Sequence, residues 1–169
     1  MTHRYWIGLG SNLGDRRASL AASLDELSRR GLGVEAVSGV YETAPRDLED
    51  QPAFLNAVAR AESALSPPRA LDTCKQVEVE LGRDLEGVRF GPRPIDCDLL
   101  LWSEGTWSDE RLEIPHPRLA QRRFVLLPLL EIDPAVCWPD GTPIADALAA
   151  IDPEEQPARR LTEPLRQVD

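Results

Sequence analysis

The apolar and polar positions of the chain alternate with the period of strands in some segments and with the period of helices in others. Strands are predicted over residues 5–9, 34–43, 54–61 and 95–102. Helices are predicted over residues 16–30, 66–82, 124–132 and 142–151. The second and third strands follow each other without an intervening helix. This order favours an α+β sandwich with an antiparallel or mixed sheet over a doubly wound parallel sheet.

One domain is predicted over residues 1–151, followed by a C-terminal tail over residues 152–169. From Asp152 onward the composition is polar and rich in proline, so we expect the tail to be loosely held. Two long loops are predicted inside the domain. Residues 44–52 are acidic and contain proline, and residues 83–94 hold three arginines, two glycines and two prolines.

Composition and charge exclude several classes of protein. The 169 residues are 42% hydrophobic, enough for a packed core, and the net charge of −10 argues against a nucleic-acid-binding surface. The apolar runs are too short to span a bilayer, so no membrane partner is expected. Three cysteines, Cys74, Cys97 and Cys137, lie far apart without a C-x-x-C spacing, which indicates a reducing compartment. We predict a cytoplasmic monomer.

Two aspartates, Asp96 and Asp98, stand in the most apolar of the predicted strands. Strand alternation places both on one face, although aspartate is a poor strand residue. The opposite face carries the side chains that we expect in the core, Ile95, Cys97, Leu99 and Leu101. At a separation of ~6.6 Å and an effective dielectric constant of ~20, the two carboxylates repel each other by about 2.5 kcal/mol. The pair is either a solvated strand end or a site for a divalent cation that phosphate oxygens complete.

The loop before these aspartates favours the second interpretation. Arg83, Arg89 and Arg93 precede the acid pair closely, and a guanidinium matches phosphate oxygens with a planar fork of donors. Acids that hold a metal, together with arginines that offset phosphate charge, are what magnesium–polyphosphate chemistry requires. A salt-bridge cluster between loop and strand is the alternative. The sequence thus predicts a magnesium-dependent enzyme that moves a phosphate-type group from ATP.

Aromatic residues in polar settings suggest the second substrate. Phe54 and Phe124 are either core residues or a pair that sandwiches a flat ring, and Asn56 could bond the polar edge of a heterocycle. His116, between two prolines, is either a surface residue or a ligand contact near Arg122. The segment from Gly8 to Leu13 resembles a dinucleotide fingerprint without its third glycine, and we interpret it as a strand-to-helix turn.

Together these segments resemble the family of 6-hydroxymethyl-7,8-dihydropterin pyrophosphokinases of folate biosynthesis. The resemblance spans residues 5 to about 142, and its most specific block is Gly91-Pro92-Arg93-Pro94-Ile95-Asp96-Cys97-Asp98. The other matching stretches are Gly8-Leu9-Gly10-Ser11-Asn12-Leu13-Gly14, Tyr41-Glu42-Thr43-Ala44-Pro45, Asp50-Gln51-Pro52-Ala53-Phe54-Leu55-Asn56-Ala57 and Pro115-His116-Pro117-Arg118 through Arg122, Phe124 and Pro128-Leu129.

The resemblance implies a ferredoxin-like α/β sandwich, with a central antiparallel or mixed sheet flanked by helices. It implies transfer of pyrophosphate from MgATP to the hydroxymethyl group of the pterin, with release of AMP. Asp96 and Asp98 would help to hold two Mg²⁺ ions, and with Arg83 and Arg93 they form the implied catalytic set. The implied pterin contacts are Thr43, Ala44, Phe54, Asn56 and Phe124. The implied ATP contacts are Lys75, Glu78, Arg83, Arg89, Arg93, His116 and Arg122.

Three positions depart from the family pattern and bear on how ATP is held. Leu85 replaces a second arginine, Lys75 replaces a glutamine, and Phe90 replaces a tryptophan. Three other functions stay open. An NADP-type oxidoreductase would leave the aspartate pair unused, a nucleotide-sensing domain would leave the acids and arginines unused, and another magnesium-dependent ATP-using enzyme would differ in its acceptor.

Overall fold

A six-stranded sheet forms the centre of the computed structural model, which describes residues 1–44, 52–82 and 94–165. Its strands are β1 (His3–Ser11), β2 (Gly33–Val37), β3 (Tyr41–Thr43), β4 (Phe54–Ser63), β5 (Asp96–Trp102) and β8 (Ala158–Arg160). The short strands β6 (Trp107–Ser108) and β7 (Glu113–Ile114) pair separately. The helices are α1 (Arg16–Arg29), α2 (Pro67–Glu80), α3 (Arg123–Ile132) and α4 (Ala145–Ala149), with a 3₁₀ turn over Leu119–Gln121.

From β1 to β5 the order is β1-α1-β2-β3-β4-α2-β5. This is the β-α-β-β-α-β order of ferredoxin-like folds if β2 and β3, which both pair with β4, count as one divided strand. The sheet order is β5-β1-β4-β3-β8, and β2 pairs with the distal part of β4. Each pairing between described strands is antiparallel. The predicted α+β sandwich with an antiparallel sheet is therefore confirmed.

Helices cover both faces of the sheet. On one face, Leu20, Leu24 and Leu27 of α1 recur with helical spacing and pack with α2 over Ile7 and Leu9 of β1. On the other face, which we call the α3 face, a second apolar cluster brings α3 and the C-terminal residues against the sheet. Its buried members are Val58, Leu100, Leu101, Leu119, Val125, Leu126, Leu129 and Ile144. Within the described residues, no helix has the length and apolarity needed to cross a membrane.

A bulge in β5 makes one sequence prediction wrong. Ile95, Cys97 and Leu99 lie in the core beneath α1 and α2, as alternation predicts, but Leu101 lies in the core under α3 beside Leu100. The register with β1 shifts at this point, so that Leu99 opposes Ile7 and Leu101 opposes Trp6. One extra residue in a strand moves every later side chain to the opposite face. Both faces have apolar cores, and both leucines are therefore buried.

The C-terminal residues also differ from the prediction. Ala158–Arg160 forms β8 on the outer edge of β3, so a loosely held tail is wrong for this segment. Leu161 continues the pairing by donating its backbone N–H to Val40 O at 2.8 Å. The sequence did not predict this strand because two of its three residues are arginines. Their partners, Glu42 and Glu131, lie far away in the chain. The domain boundary after Ile151 stays a prediction.

Candidate active site

Two glycines of β1 form a flat floor on the α3 face. Gly10 pairs with Asn56 of β4 on one side and with Asp96 of β5 on the other, while Gly8 pairs with Asp98. Directly opposed residues in antiparallel strands point to the same face. Asn56 and Asp96 therefore stand two strands apart, about 10 Å, and Gly10 places no side chain of its own between them. The amide and the carboxylate thus flank the same stretch of β1.

The space above Gly10 is already narrow. A Cβ at this position would lie 3.3 Å from Asn56 Oδ1 and 3.7 Å from Cδ1 of Phe54. A Cβ at Gly8 would lie 3.3 Å from Leu100 Cδ2. Both glycines belong to β1, which continues to Ser11, so the interpretation of Gly8 as part of a strand-to-helix turn is wrong. These glycines provide clearance within a strand, and the helix begins only after Asp15.

Three carboxyl groups gather at the first residues of β5. Asp96 and Asp98 are partly buried on the α3 face, as predicted, and Glu78 of α2 is fully buried beside them. Glu78 Oε2 accepts a hydrogen bond from the backbone N–H of Cys97 at 2.9 Å. Lys75 Nζ lies 3.4 Å from Glu78 Oε1, and its side chain is 49% exposed. Glu78 thus anchors the strand that carries both aspartates.

Burial and neighbouring carboxyl groups raise the pKa values of Asp98 and Glu78. Burial, followed by the negative charges of Asp96 and Glu78, raises the pKa of Asp98 to about 7. Burial also raises the pKa of Glu78, with a further contribution from Asp96 and an opposing one from the Cys97 N–H. Carboxyl groups this close together, two of them with raised pKa values, are a candidate site for a cation.

The chemistry of the donor set fits magnesium. Carboxylate oxygens are the protein ligands that Mg²⁺ prefers, and this ion usually takes only one or two of them, with waters and substrate phosphates as its other ligands. Among the described residues, no group of three or more His, Cys, Asp or Glu side chains forms a complete metal site. The acid pair therefore fits a metal that arrives with a polyphosphate better than a permanently bound ion.

His116 lies at the edge of the α3 face with one ring nitrogen occupied. Its backbone N–H donates to Leu100 O at 2.9 Å, and its Nδ1 accepts from the backbone N–H of Arg118 at 3.1 Å. Burial, followed by the positive charges of Arg122 and Arg118, lowers the pKa of His116 to about 4. The ring is neutral at pH 7, and with Nδ1 accepting, its proton resides on Nε2. Nε2 is thus a neutral hydrogen-bond donor.

Asn56 is held in place by the strand next to it. Its side chain is only 6% exposed, and its Nδ2 donates to Thr43 Oγ1 at 2.8 Å and to Tyr41 O at 3.5 Å. These bonds orient the amide. Thr43 pairs with Phe54 in the register of β3 and β4, and Ala44 follows as an exposed residue. The predicted pterin contacts on β3 and β4 are therefore brought together.

The two phenylalanines are only partly buried. Phe54 begins β4 beside the glycine floor, and Phe124 lies in the first turn of α3. The guanidinium of Arg122 lies 5.8 Å from the centre of the Phe124 ring, within cation–π range. Fully buried phenylalanines would have favoured the core interpretation. Partial exposure on one face favours a role in binding.

Several predicted residues lie outside the described part of the chain. Arg83, Arg89 and Arg93, together with Leu85 and Phe90, fall within residues 83–93, so their assignments stay predictions. Sequence reasoning also missed residues that shape the site. The floor glycines could have been recognised from the sequence. Glycine inside an apolar strand often marks a place where a ligand or another backbone approaches the strand closely. Gln156, which contacts the start of α3, carried none.

Comparisons with known proteins agree with this geometry. The family model for 7,8-dihydro-6-hydroxymethylpterin-pyrophosphokinase (HPPK) matches residues 6–134. The 2-amino-4-hydroxy-6-hydroxymethyldihydropteridine pyrophosphokinase of Methylorubrum extorquens is 42% identical over 151 residues, which cover 89% of this chain and 94% of the relative. The protein of the same name from Bacillus subtilis is 43% identical over 133 residues, which cover 78% and 79% of the two chains.

Longer proteins contain a similar region. The mitochondrial folate synthesis bifunctional protein of Arabidopsis thaliana is 42% identical over 130 residues, and the match covers 77% of this chain but 23% of that protein. A crystal structure of Plasmodium falciparum HPPK-DHPS superposes with a TM-score of 0.71 at 15% identity, covering 88% of this chain and 41% of the other. The structural likeness shows the fold. The chain spans only about a quarter of the bifunctional relative.

These matches place the chain among ATP-dependent transferases of small molecules. More narrowly, the chain belongs to the 7,8-dihydro-6-hydroxymethylpterin-pyrophosphokinase family. The family resemblance and the predicted pyrophosphokinase function in folate biosynthesis are confirmed, with ATP as co-substrate. The roles of individual residues do not follow from these matches.

Proposed function

We propose that this chain transfers pyrophosphate from MgATP to the hydroxymethyl group of 6-hydroxymethyl-7,8-dihydropterin and releases AMP. One observation carries the proposal. The glycine floor of β1 separates an aromatic–amide pocket at Phe54 and Asn56 from an acid pair at Asp96 and Asp98 by about 10 Å on the same face. A flat acceptor and a metal-bound polyphosphate would lie side by side above Gly10.

The residues on the pterin side would bind and orient the acceptor. Phe54 and Phe124 would stack on its two faces, and stacking of this kind adds about 0.5–1.5 kcal/mol beyond the burial of area. Asn56, fixed by Thr43 and Tyr41, would present its amide to the polar ring edge. Because the amide is oriented before the ligand arrives, little conformational entropy is lost on binding. Backbone groups of Thr43 and Ala44 would complete the edge.

The residues on the ATP side would bind the polyphosphate. Asp96 and Asp98 would hold two Mg²⁺ ions, which supply electrostatic stabilisation of charge on the transferring group. The Nε2–H group of His116 would donate a hydrogen bond to a phosphate oxygen without adding positive charge to the site. Arg122, Lys75 and the loop arginines Arg83, Arg89 and Arg93 would offset the remaining negative charge. Glu78 would act through Cys97 by fixing the acid-bearing strand, because its carboxyl group is fully buried.

The nucleotide product tests the proposal directly. With ATP, Mg²⁺ and the hydroxymethyl-dihydropterin, chromatography should show AMP in equal amount to the pterin product. Asp96→Ala should lower turnover by orders of magnitude. Stoichiometric ADP would contradict pyrophosphate transfer and favour another kinase, and binding without turnover would favour a nucleotide sensor. An Asp96→Ala enzyme with more than about a tenth of wild-type activity, only ~1.4 kcal/mol of barrier, would contradict the metal assignment.

The remaining expectations concern surroundings and partners. We propose that the chain acts as a monomer in the cytoplasm, on small molecules alone, without nucleic acid or membrane partners. The net charge of −10 supports this, since an acidic surface repels nucleic acid and anionic lipid alike. Sedimentation of the purified chain would test the monomer, and an association at micromolar concentration would contradict it.

A further inference from the structure

A C-terminal segment lies against both walls of the proposed pterin pocket. Residues 152–165, which we call the C-terminal strap, include β8, which extends the sheet beyond β3. In this pairing Ala158 opposes Thr43, and Arg160 opposes Tyr41. Thr43 is the residue whose hydroxyl accepts the amide N–H of Asn56. One end of the strap therefore supports the strand that orients Asn56.

Just before β8, the strap bonds the first residues of α3. Gln156 Oε1 accepts from the backbone N–H of Arg123 at 2.9 Å, and Gln156 Nε2 donates to Gln121 O at 2.9 Å. In return, Arg123 Nη1 donates to the backbone O of Gln156 at 3.0 Å. These three bonds surround the position from which Phe124 projects. The same strap therefore contacts the walls of both proposed stacking residues.

The start of α3 depends on an acceptor from outside the helix. A helix normally begins at a residue whose side chain accepts an N–H of the first turn, but Arg122 occupies that position, and a guanidinium has no acceptor. Two arginines in succession at a helix N-terminus also oppose the helix dipole. Gln156 supplies the missing acceptor from 33 residues away in the chain.

The strap is fastened at both of its ends. Arg160 Nε bonds Glu131 Oε1 of α3 at 3.0 Å, and the same carboxylate accepts from Tyr41 Oη and from the backbone N–H of Gly39. Further on, Arg17 of α1 donates to Pro164 O at 2.9 Å. The strap thus joins β3, α3 and α1, and a shift at one attachment would displace the others.

We propose that Gln156 is a positioning residue for pterin binding, which sets the start of α3, and with it Phe124, relative to β3 and Asn56. This inference rests on the proposed function, because it concerns the pterin pocket. Gln156 would act through Arg123 and Thr43, without touching either substrate. The proposed ATP contacts on α2 have no attachment to the strap among the described residues, but Arg122, a proposed ATP contact, lies between the two residues that Gln156 bonds. Pterin binding should therefore weaken more than nucleotide binding when Gln156 is replaced.

Calorimetry on three variants tests the proposal. Gln156→Ala removes both side-chain bonds, Gln156→Glu retains an acceptor for Arg123 N–H, and Glu155→Ala changes the exposed neighbouring residue as a matched control. Pterin affinity is measured with a non-hydrolysable MgATP analogue present, and affinity for the analogue is measured alone. We expect Gln156→Ala to raise the pterin Kd about three- to tenfold, ~0.7–1.4 kcal/mol, and the analogue Kd by a clearly smaller factor. Glu155→Ala should match the wild type.

Gln156→Glu should recover most of the pterin affinity, because an anion at a helix N-terminus is favourable. Should Gln156→Ala fail to fold, Gln156→Asn, shorter by one methylene, provides the same comparison. An unchanged pterin Kd in the Ala variant, or equal weakening of both ligands, would overturn the positioning role. A wild type that binds the MgATP analogue but not the pterin would instead overturn the proposed function.

Discussion

Replacing Asp98 with asparagine should stabilise the metal-free protein, and the gain should grow with pH. The pKa of Asp98 is raised from 3.8 to about 7 by burial and by the charges of Asp96 and Glu78. An acid whose pKa is higher in the folded state keeps its proton while the unfolded chain releases it. Stability is therefore lost as pH rises from about 4 through 7, and is constant above that.

The size of the effect follows from the shift. About three pKa units correspond to at most ~4 kcal/mol, at 1.36 kcal/mol per unit. Between pH 5 and pH 7 the difference between Asp98→Asn and wild type should grow by up to ~2.7 kcal/mol, and then no further. Because Asp98 interacts with Asp96 and Glu78, the measured gain should lie below this bound. For a chain of this length, each kcal/mol raises Tm by roughly 2–4 °C.

Urea unfolding in EDTA at pH 5, 7 and 8, followed by circular dichroism, measures this difference. Asp146→Asn, at an exposed acid in α4, is the control, and surface changes of this kind usually stay within about 0.5 kcal/mol. Comparing variants cancels the pH dependence of the groups that do not interact with Asp98. An Asp98→Asn protein less stable than wild type at pH 8, or a difference that is the same at pH 5 and pH 8, would refute the reasoning.

Two other predictions concern the pterin side of the site. Phe54→Ala or Phe124→Ala should weaken pterin binding by roughly 1–3 kcal/mol through lost area and stacking, with a much smaller change for the MgATP analogue; equal losses in calorimetry would mark them as core residues. Gly10→Ala should reduce pterin affinity, because its Cβ would lie 3.3 Å from Asn56 Oδ1. Its melting temperature should change little, since the backbone there needs no positive φ, and unfolding of this variant at room temperature would contradict the prediction.

The parts of the fold that the sequence predicted are those with local causes. Leu20, Leu24 and Leu27 recur with helical spacing, and α1 buries these three. Strand alternation likewise predicted that Asp96 and Asp98 share a face. The alternation failed at Leu101, because a bulge depends on the partner strand, and both sheet faces are apolar there. The sequence of β5 alone does not show where its pairing with β1 contains a bulge.

Contacts between distant positions could not be predicted. In the sequence, Glu78 is one of several charged residues of an amphipathic helix. Its buried hydrogen bond to the Cys97 N–H depends on the packing of α2 beside β5, which the sequence pattern does not show. Gln156 lies in a polar segment without periodicity, and its acceptor role depends on the poor capping residue before α3. The aspartate pair could be predicted from the sequence because both residues lie in one strand. The residues that hold this strand in place belong to other elements and could not be predicted.

The bond between Glu78 and Cys97 has a consequence for association between molecules. In the described sheet β5 is the outermost strand on its side, and an outermost strand exposes backbone donors that another chain could pair with. The buried carboxylate occupies the Cys97 donor from within the same molecule. A neighbouring strand would have to displace this acceptor from the Cys97 N–H before it could pair there. The bond thereby hinders another chain from extending the sheet at this edge, beside the proposed ATP contacts.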